Sequence, residues 1–168
     1  MIKTPKRPLW APWRIEFIRS SKNSECFLCG KDKNRQSPDE ELVIKRGKKA
    51  FVILNRFPYN SGHLMIAPYR HIADISRLDK DEKIEIMDLL VEAKEILDKV
   101  MCPQGFNAGV NLGDVAGAGV KDHIHFHLVP RWLGDVNFMP VLGDTRVVPE
   151  ALVETANMIK KTYQKIKK

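Results

Sequence analysis

The stretch KDHIHFHLVPRW, residues 121–132, places a histidine on every second residue and fills the alternate positions with apolar side chains. Such alternation predicts a β-strand, because successive side chains of a strand point to opposite faces of the sheet. His123, His125 and His127 should therefore share one face, with neighbouring rings about 6.5–7 Å apart. The chain has only 5 histidines, so their concentration here favours a chemical site over an exposed polar surface.

The residue types alone leave two uses for these rings open. Two or three neutral imidazoles can hold a metal ion, as in catalytic zinc sites. Alternatively, one neutral imidazole attacks phosphorus and forms a covalent intermediate, while a protonated neighbour donates to the leaving oxygen. Protonation of one ring disfavours protonation of the next, which assists this division of roles.

A glycine-rich connection, GDVAGAG at 113–119, follows Asn111 and leads into the histidines. Backbone N–H groups of such loops often cradle phosphate oxygens, and glycine permits close backbone approach. We therefore expect the Asn111 amide and the backbone of Gly117 and Gly119 to bind phosphate. A flexible connection between strands is the alternative for this loop.

Outward from this stretch, the sequence predicts an α+β domain with an antiparallel sheet of about five strands. Besides the histidine strand, strands are expected at 41–46, 50–56, 63–67 and 106–112. The absence of regular β-α-β alternation predicts antiparallel pairing with helices packed on the sheet.

Two helices are predicted, one long and one C-terminal. Apolar residues at 86, 90, 93, 97 and 100 give helical spacing over 79–101, and Asp79 and Glu82 form a D-x-x-E start. Pro149 is expected to begin the second helix, where its missing N–H costs nothing.

Composition indicates a single globular domain over residues 1–168. Hydrophobic residues make up 43% of the chain and charged residues 29%, which is the balance of a folded, soluble protein. No apolar run is long enough to cross a membrane, and the segment around Trp10 and Trp13 is expected to anchor on the core. We therefore expect a cytoplasmic protein, and its net charge of +7 suits an anionic partner.

Two blocks of the sequence resemble the histidine triad (HIT) family of nucleotide hydrolases and transferases. HIHFHLVP resembles its His-x-His-x-His-x-x motif with apolar x, and NRFPYNSGHLMIAPYRH, residues 55–71, resembles its upstream block. LWAPWR near the start and PRWLGDVNF after the triad are similar to the branch that contains diadenosine tetraphosphate phosphorylases. The resemblance implies a HIT-like nucleotide-binding fold, a dinucleoside polyphosphate such as diadenosine tetraphosphate as substrate, and a homodimer.

Position by position, the resemblance implies separate roles for the polar residues. His125 is the expected nucleophile toward the α-phosphorus, His127 binds phosphate and assists the leaving group, and His123 supports both. Asn55 is expected to bind the ribose, and His63 to lie beside the nucleotide and the triad. This covalent route requires no catalytic metal.

The loop before the triad departs from the family's common Gln-Ser or Gln-Thr pair. Ala118 and Gly119 stand there instead, so two side-chain donors for phosphate are missing. Backbone N–H groups, Lys121 or Arg131 are expected to substitute. The roomier site suggests that inorganic phosphate replaces water as the acceptor, which would convert diadenosine tetraphosphate into ADP and ATP.

Cys26 and Cys29 form a C-x-x-C, which alone is weak evidence for zinc because four ligands are needed. By resemblance, His71 and His123 match the positions that complete the site in zinc-containing members of the family. We therefore expect a structural zinc, with two buried free thiols as the alternative.

Three other functions stay open at this point. One is a HIT-family hydrolase of nucleotides or phosphoramidates, and another is a metal hydrolase in which the triad itself holds the ion. The third is a nucleotide- or RNA-binding module that uses the lysine-rich C-terminal tail. The lack of interleaved aromatic residues counts against a nucleic acid partner.

Overall fold

The computed structural model describes residues 26–31, 39–135 and 151–166. The expected N-terminal anchor with Trp10 and Trp13, the segment 136–148 and Pro149 lie outside these ranges. Within them, none of the helices combines the length and apolar character that crossing a bilayer requires.

Five strands form one antiparallel sheet in the described part of the chain, which confirms the predicted fold class. They are β1 Val43–Arg46, β2 Ala50–Leu54, β3 Leu64–Pro68, β4 Gly105–Val110 and β5 Phe126–Arg131. Their order is β1-β2-β3-β5-β4, and every neighbouring pair is antiparallel. The strand that carries His127 therefore has a hydrogen-bonded neighbour on each side, which fixes its register.

Helix α1, Lys80–Met101, begins at the capping box that the sequence predicted. The Asp79 carboxylate accepts from the Glu82 N–H at 2.8 Å, and the Glu82 carboxylate accepts from the Asp79 N–H at 2.9 Å. These bonds satisfy two backbone donors at the helix start. The second helix, α2, spans Leu152–Ile166 and contacts α1 and β1. The apolar face of α1 is buried through Ile86, Leu89, Ala93, Ile96 and Leu97.

The two faces of the sheet have different roles. Helix α1 contacts β2, β3 and β5, and its Lys94 ammonium lies 5.8 Å from the Phe106 ring centroid, so α1 covers the face to which Phe106 points. The opposite face carries His127, which pairs with Met65 on β3 and Gly109 on β4. Strand alternation places three polar residues just beyond the strand ends on this same face. They are Asn55, His63 and Asn111.

Strand β5 begins at Phe126, and the prediction that it starts at His123 is wrong. The β3–β5 register would next pair Pro68 with Ile124, but proline has no N–H to donate to a ladder. The His123 ring bonds to the Pro68 carbonyl oxygen at 2.8 Å instead. The first two histidines of the motif therefore lie in an irregular segment before the strand.

Candidate active site and metal centre

His63 is held in one tautomer by the loop between β2 and β3. The Tyr59 backbone N–H donates to its Nδ1 at 3.0 Å, and the Asn55 side-chain nitrogen lies 3.2 Å from the same atom. A ring nitrogen that accepts these bonds carries no proton, so the neutral ring has its proton on Nε2. His63 Nε2 lies 2.9 Å from His127 Nδ1 and donates to it.

The same reasoning fixes the tautomer of His127. Its Nδ1 accepts from His63, so the proton of the neutral His127 ring is on Nε2. Both rings are buried, and their hydrogen bond therefore orients them with little competition from water. His127 Nε2–H is a donor whose direction is set before any substrate arrives.

His125 has the opposite tautomer. Its Nδ1 lies 2.9 Å from the backbone carbonyl oxygen of His123, which can only accept, so Nδ1 carries the proton. The lone pair of the neutral His125 ring is therefore on Nε2. The His125 and His127 rings meet edge to face with centroids 4.8 Å apart. A nucleophilic nitrogen and an N–H donor are thus present on two rings in contact.

Burial keeps these rings neutral near pH 7. Desolvation lowers the pKa of His63 to about 3, assisted by the nearby His127 and His125 rings. Desolvation also lowers the pKa of His125, although the hydrogen bond to the His123 carbonyl opposes this effect. A neutral His125 retains the lone pair that a nucleophile requires.

The remaining histidine of the motif belongs to a separate cluster. Cys26, Cys29, His71 and His123 offer ligand atoms that all lie within 4.8 Å of one another. His123 Nδ1 is 3.5 Å from Cys26 Sγ and 3.6 Å from Cys29 Sγ, and His71 Nδ1 is 3.2 Å from Cys29 Sγ. Zinc–ligand bonds of ordinary length in a tetrahedron separate such atoms by about 3.3–3.8 Å. The structure thus brings together the four residues expected from the sequence, at distances suited to a tetrahedral ion.

His123 connects this cluster to the cleft. Its Nε2 donates to the Pro68 carbonyl, which leaves the Nδ1 lone pair for a metal. Desolvation lowers the pKa of its ring to about 4, so the ring is neutral, as a ligand must be. The backbone carbonyl of the same residue accepts from His125. The ring and the carbonyl of His123 therefore serve different sites.

Asn55, the expected ribose ligand, is buried beside His63. Its amide oxygen accepts from the Phe57 N–H at 2.9 Å, and its amide nitrogen contacts His63. Each group retains capacity for a further bond, because an amide nitrogen has two hydrogens and its oxygen two lone pairs.

The expected phosphate-binding loop is folded in part as a 3-10 turn, Asp114–Ala116. The Asn111 amide donates to the Gly117 carbonyl at 3.4 Å. Gly117 has a φ of 84°, a left-handed conformation that favours glycine. Gly119 is half-buried in the same connection. Phosphate binding by this loop stays a prediction.

Arg131, also expected to bind phosphate, lies at the far end of β5, about 13 Å along the strand from His127. Asp135 accepts from its Nε at 2.5 Å and its Nη2 at 2.9 Å, and the Asn107 side-chain oxygen accepts from Nη1 at 2.7 Å. This pairing lowers the pKa of Asp135 to about 2. All three guanidinium nitrogens therefore have partners within the protein.

Sequence reasoning missed the groups that set the tautomers. They are backbone atoms, an N–H of Tyr59 and a carbonyl of His123, and backbone atoms are the same in nearly every residue. The Tyr59 ring was also missed, although its centroid lies 4.7 Å from that of His63 and 5.7 Å from that of His127. The available signal was an aromatic residue within the block that leads into His63.

Comparison with known proteins adds two kinds of finding. A family model described as HIT domain matches residues 36–132. An AP-4-A phosphorylase of Mycobacterium tuberculosis is 37% identical over 158 residues, which cover 90% of this chain and 81% of that protein. An uncharacterized HIT-like protein of Methanocaldococcus jannaschii is 32% identical over 110 residues, covering 66% of this chain and 81% of that one.

Solved structures share the fold. A diadenosine triphosphate hydrolase of Plasmodium falciparum, in complex with cyclomarin A, has a TM-score of 0.62 at 22% identity and covers 90% of this chain and 95% of its own. A zinc-bound histidine triad family protein of Mycobacterium smegmatis has a TM-score of 0.61 at 19% identity, covering 75% and 85% respectively. At these identities the likeness concerns the fold alone.

Proposed function

This chain belongs to the HIT family, and from that premise we propose that it is a nucleotidyl transferase that cleaves dinucleoside polyphosphates at the α-phosphorus. The proposed reaction is phosphorolysis of diadenosine tetraphosphate to ADP and ATP. The name of the M. tuberculosis relative, an AP-4-A phosphorylase that is 37% identical to this chain, supports that choice.

The observation that carries the proposal is the pair of opposite tautomers on His125 and His127. The unprotonated Nε2 of His125 attacks the α-phosphorus in line, and the bond from phosphorus to the bridging oxygen breaks. The electron pair of that bond leaves with ATP, and His127 Nε2–H donates to the departing oxygen. The His125 Nδ1–H stays bonded to the His123 carbonyl and stabilises the positive charge of the nucleotidyl-imidazolium.

In the second step an acceptor displaces His125 from phosphorus. Inorganic phosphate as acceptor gives ADP, whereas water gives AMP. The absence of side-chain donors at Ala118 and Gly119 supports phosphate, because it leaves room beside the triad. The proposed ligands for the phosphates are Asn111, Lys121 and backbone N–H groups of Gly117 and Gly119, with Asn55 on the ribose.

The acceptor is tested by isotope transfer. Purified protein is incubated with diadenosine tetraphosphate and ¹⁸O-labelled phosphate, and the nucleotides are separated and weighed by mass spectrometry. We expect ADP and ATP in equal amounts, with the label in the β-phosphate of ADP. Formation of AMP and ATP at a rate independent of phosphate would instead identify a HIT-family hydrolase.

The same assay addresses the remaining alternatives. Activity that survives exhaustive chelation excludes a metal hydrolase built on the triad, since the covalent route needs no catalytic metal. Nucleotide binding without any turnover, in protein whose fold is intact, would leave a binding module as the function.

We also propose that Cys26, Cys29, His71 and His123 hold a structural zinc. The interatomic distances support this, as does the donor set of two thiols and two imidazoles. Such an ion would supply cross-linking and no reaction chemistry. It would join the segment 26–31 to the residues that precede β5.

A homodimer in the cytoplasm completes the proposal, on the strength of family resemblance. Within the described residues β4 is an edge strand, and Asn107, Ala108 and Gly109 on it are exposed, which leaves that edge accessible to a second copy. Light scattering at micromolar concentration should give about twice the mass of one chain. A monomeric mass would remove the dimer from the proposal without affecting the reaction.

A further inference from the structure

A cavity of about 390 Å³ lies at the edge of the sheet, between β1 and α2. Its size is within the range of small-molecule sites, which is about 300–1,000 Å³. Strand β1 is separated from the histidine-bearing β5 by β2 and β3. The cavity is therefore distinct from the cleft that holds the triad.

Cationic side chains line this cavity. Lys45 forms an ion pair with Glu92, and Arg46 forms one with Glu40. Lys160 differs from both, because its ammonium donates to a backbone carbonyl, that of Glu41, at 2.6 Å. Carboxylates of residues 40 and 41 act on Lys160 only at longer range. Among the described residues, the cavity thus has one cation that is not in direct contact with a carboxylate.

Tyr163 provides an independent sign that a ligand belongs here. Its side chain lines the cavity and is 9% exposed, and its hydroxyl is buried with no hydrogen-bond partner among the described residues. Buried hydroxyls in folded proteins are nearly always bonded. Burial raises the pKa of Tyr163 to about 13, so the hydroxyl keeps its proton and can donate.

The three groups converge on one place. Lys160 and Tyr163 are three residues apart on α2, which puts their side chains on the same face of the helix. The Lys45 ammonium lies 5.3 Å from the centroid of the Tyr163 ring. A compact anion with several acceptor oxygens would receive bonds from both the ammonium of Lys160 and the hydroxyl of Tyr163.

We propose that this cavity is a binding site for a small soluble phosphate compound, either inorganic phosphate or a phosphate monoester, with Lys160 and Tyr163 as its ligands. Phosphate offers charge for the unpaired lysine and an acceptor for the unpaired phenol. The polar, cationic lining excludes a metal ion and does not suit an apolar molecule. The site is independent of the proposed cleavage reaction.

The site is tested by NMR titration of ¹⁵N-labelled protein with inorganic phosphate and, separately, with AMP. We expect saturable shifts of the amides at 43–46 and 160–164, which are distinguishable from shifts around the triad. Lys160→Met should weaken this binding about tenfold or more, because a charge-assisted bond is lost. Lys161→Met is the matched control, since Lys161 is exposed and does not line the cavity, and should bind as the wild type does.

Tyr163→Phe separates ligand binding from structural support. Because the hydroxyl has no protein partner to lose, the melting temperature of the ligand-free variant should be unchanged or higher. Phosphate affinity at this site should nevertheless fall about tenfold. Shifts confined to the triad region, or equal affinities in Lys160→Met, Tyr163→Phe and wild type, would overturn the proposal.

Discussion

Two histidines of identical composition receive opposite tautomers because of what each binds on its inner side. His125 donates to a carbonyl, which leaves a lone pair directed outward, whereas His127 accepts from His63, which leaves an N–H group directed outward. Their reactivity is thus decided by the groups behind the rings. His63, which touches neither nucleophile nor carbonyl in this scheme, becomes the residue that makes His127 a donor.

This assignment predicts different responses to the leaving group. His125→Ala should abolish transfer from every substrate, while His127→Asn should slow diadenosine tetraphosphate cleavage by about 10²–10⁴-fold, the usual contribution of a general acid. Adenosine 5′-(p-nitrophenyl phosphate) releases a phenolate that needs no proton. His127→Asn should therefore recover most of its activity on that ester, and His125→Ala should not. Equal losses on both substrates would contradict the role given to His127.

His63 predicts a pH dependence of stability. Its pKa falls from 6.5 to about 3 on folding, so below pH 6.5 the unfolded chain binds a proton that the folded chain refuses. The free energy of unfolding should fall as the pH drops from 6.5 toward 3, by up to about 1.4 kcal/mol per pH unit for this group. Urea unfolding of wild type and His63→Phe at pH 7, 6 and 5 measures the difference. The variant should show the shallower decline, and parallel curves would rule this linkage out.

At the scale of elements, local signals were the ones the sequence carried reliably. The D-x-x-E start at Asp79 and the apolar spacing predicted α1 correctly, since capping and helical periodicity depend on residues within a few positions. The strands were also found, but their order depends on pairing between distant segments. The wrong start of β5 has the same origin, because the proline that ends the ladder is on β3.

The candidate site divides in the same way. Residue types pointed to the two clusters, and the four metal-ligating side chains do lie together. The separation of His123 from the other two rings was not visible in the alternation, which placed all three on one strand face. Arg131 illustrates the limit most clearly, since its partner Asp135 follows in a connection with no regular pattern.

Glu85 on α1 fixes the turn between β1 and β2. Its carboxylate accepts from the backbone N–H groups of Lys48, Lys49 and Ala50. A Cβ at Gly47 would lie 2.6 Å from the same carboxylate, so this turn is packed closely against the helix. Three backbone donors of the hairpin therefore depend on one side chain.

Replacement of Glu85 by Ala should lower the free energy of unfolding by about 1–3 kcal/mol, because those donors lose a charged acceptor. Urea denaturation measures the loss, and hydrogen exchange at residues 48–50 should accelerate. Glu95→Ala, an exposed position of the same helix, serves as the control and should change stability by less than about 0.5 kcal/mol. Unchanged exchange at the turn would contradict the anchoring role.

At the scale of the whole molecule, the proposed metal joins three separate parts of the chain. Cys26→Ser should reduce bound zinc from about one per chain to a small fraction and lower the melting temperature by roughly 5–10 °C. Elemental analysis and calorimetry measure both. Cys102→Ser is the matched control, because that thiol is exposed and outside the cluster. Wild-type protein that contains no stoichiometric zinc when purified without chelator would refute the metal assignment.

The two clusters also have a consequence for how the chain acquires activity. Cys26 and His123 are separated by 97 positions, and His63 and His127 by 64, so each cluster closes a long loop whose entropy must be offset by tertiary packing. A chain in which only the β1–β2 hairpin and α1 have formed contains every reactive residue and no reactive centre. Chemical competence therefore appears late in folding, with the docking of β5 against β3, and recovery of activity after refolding reports that last event.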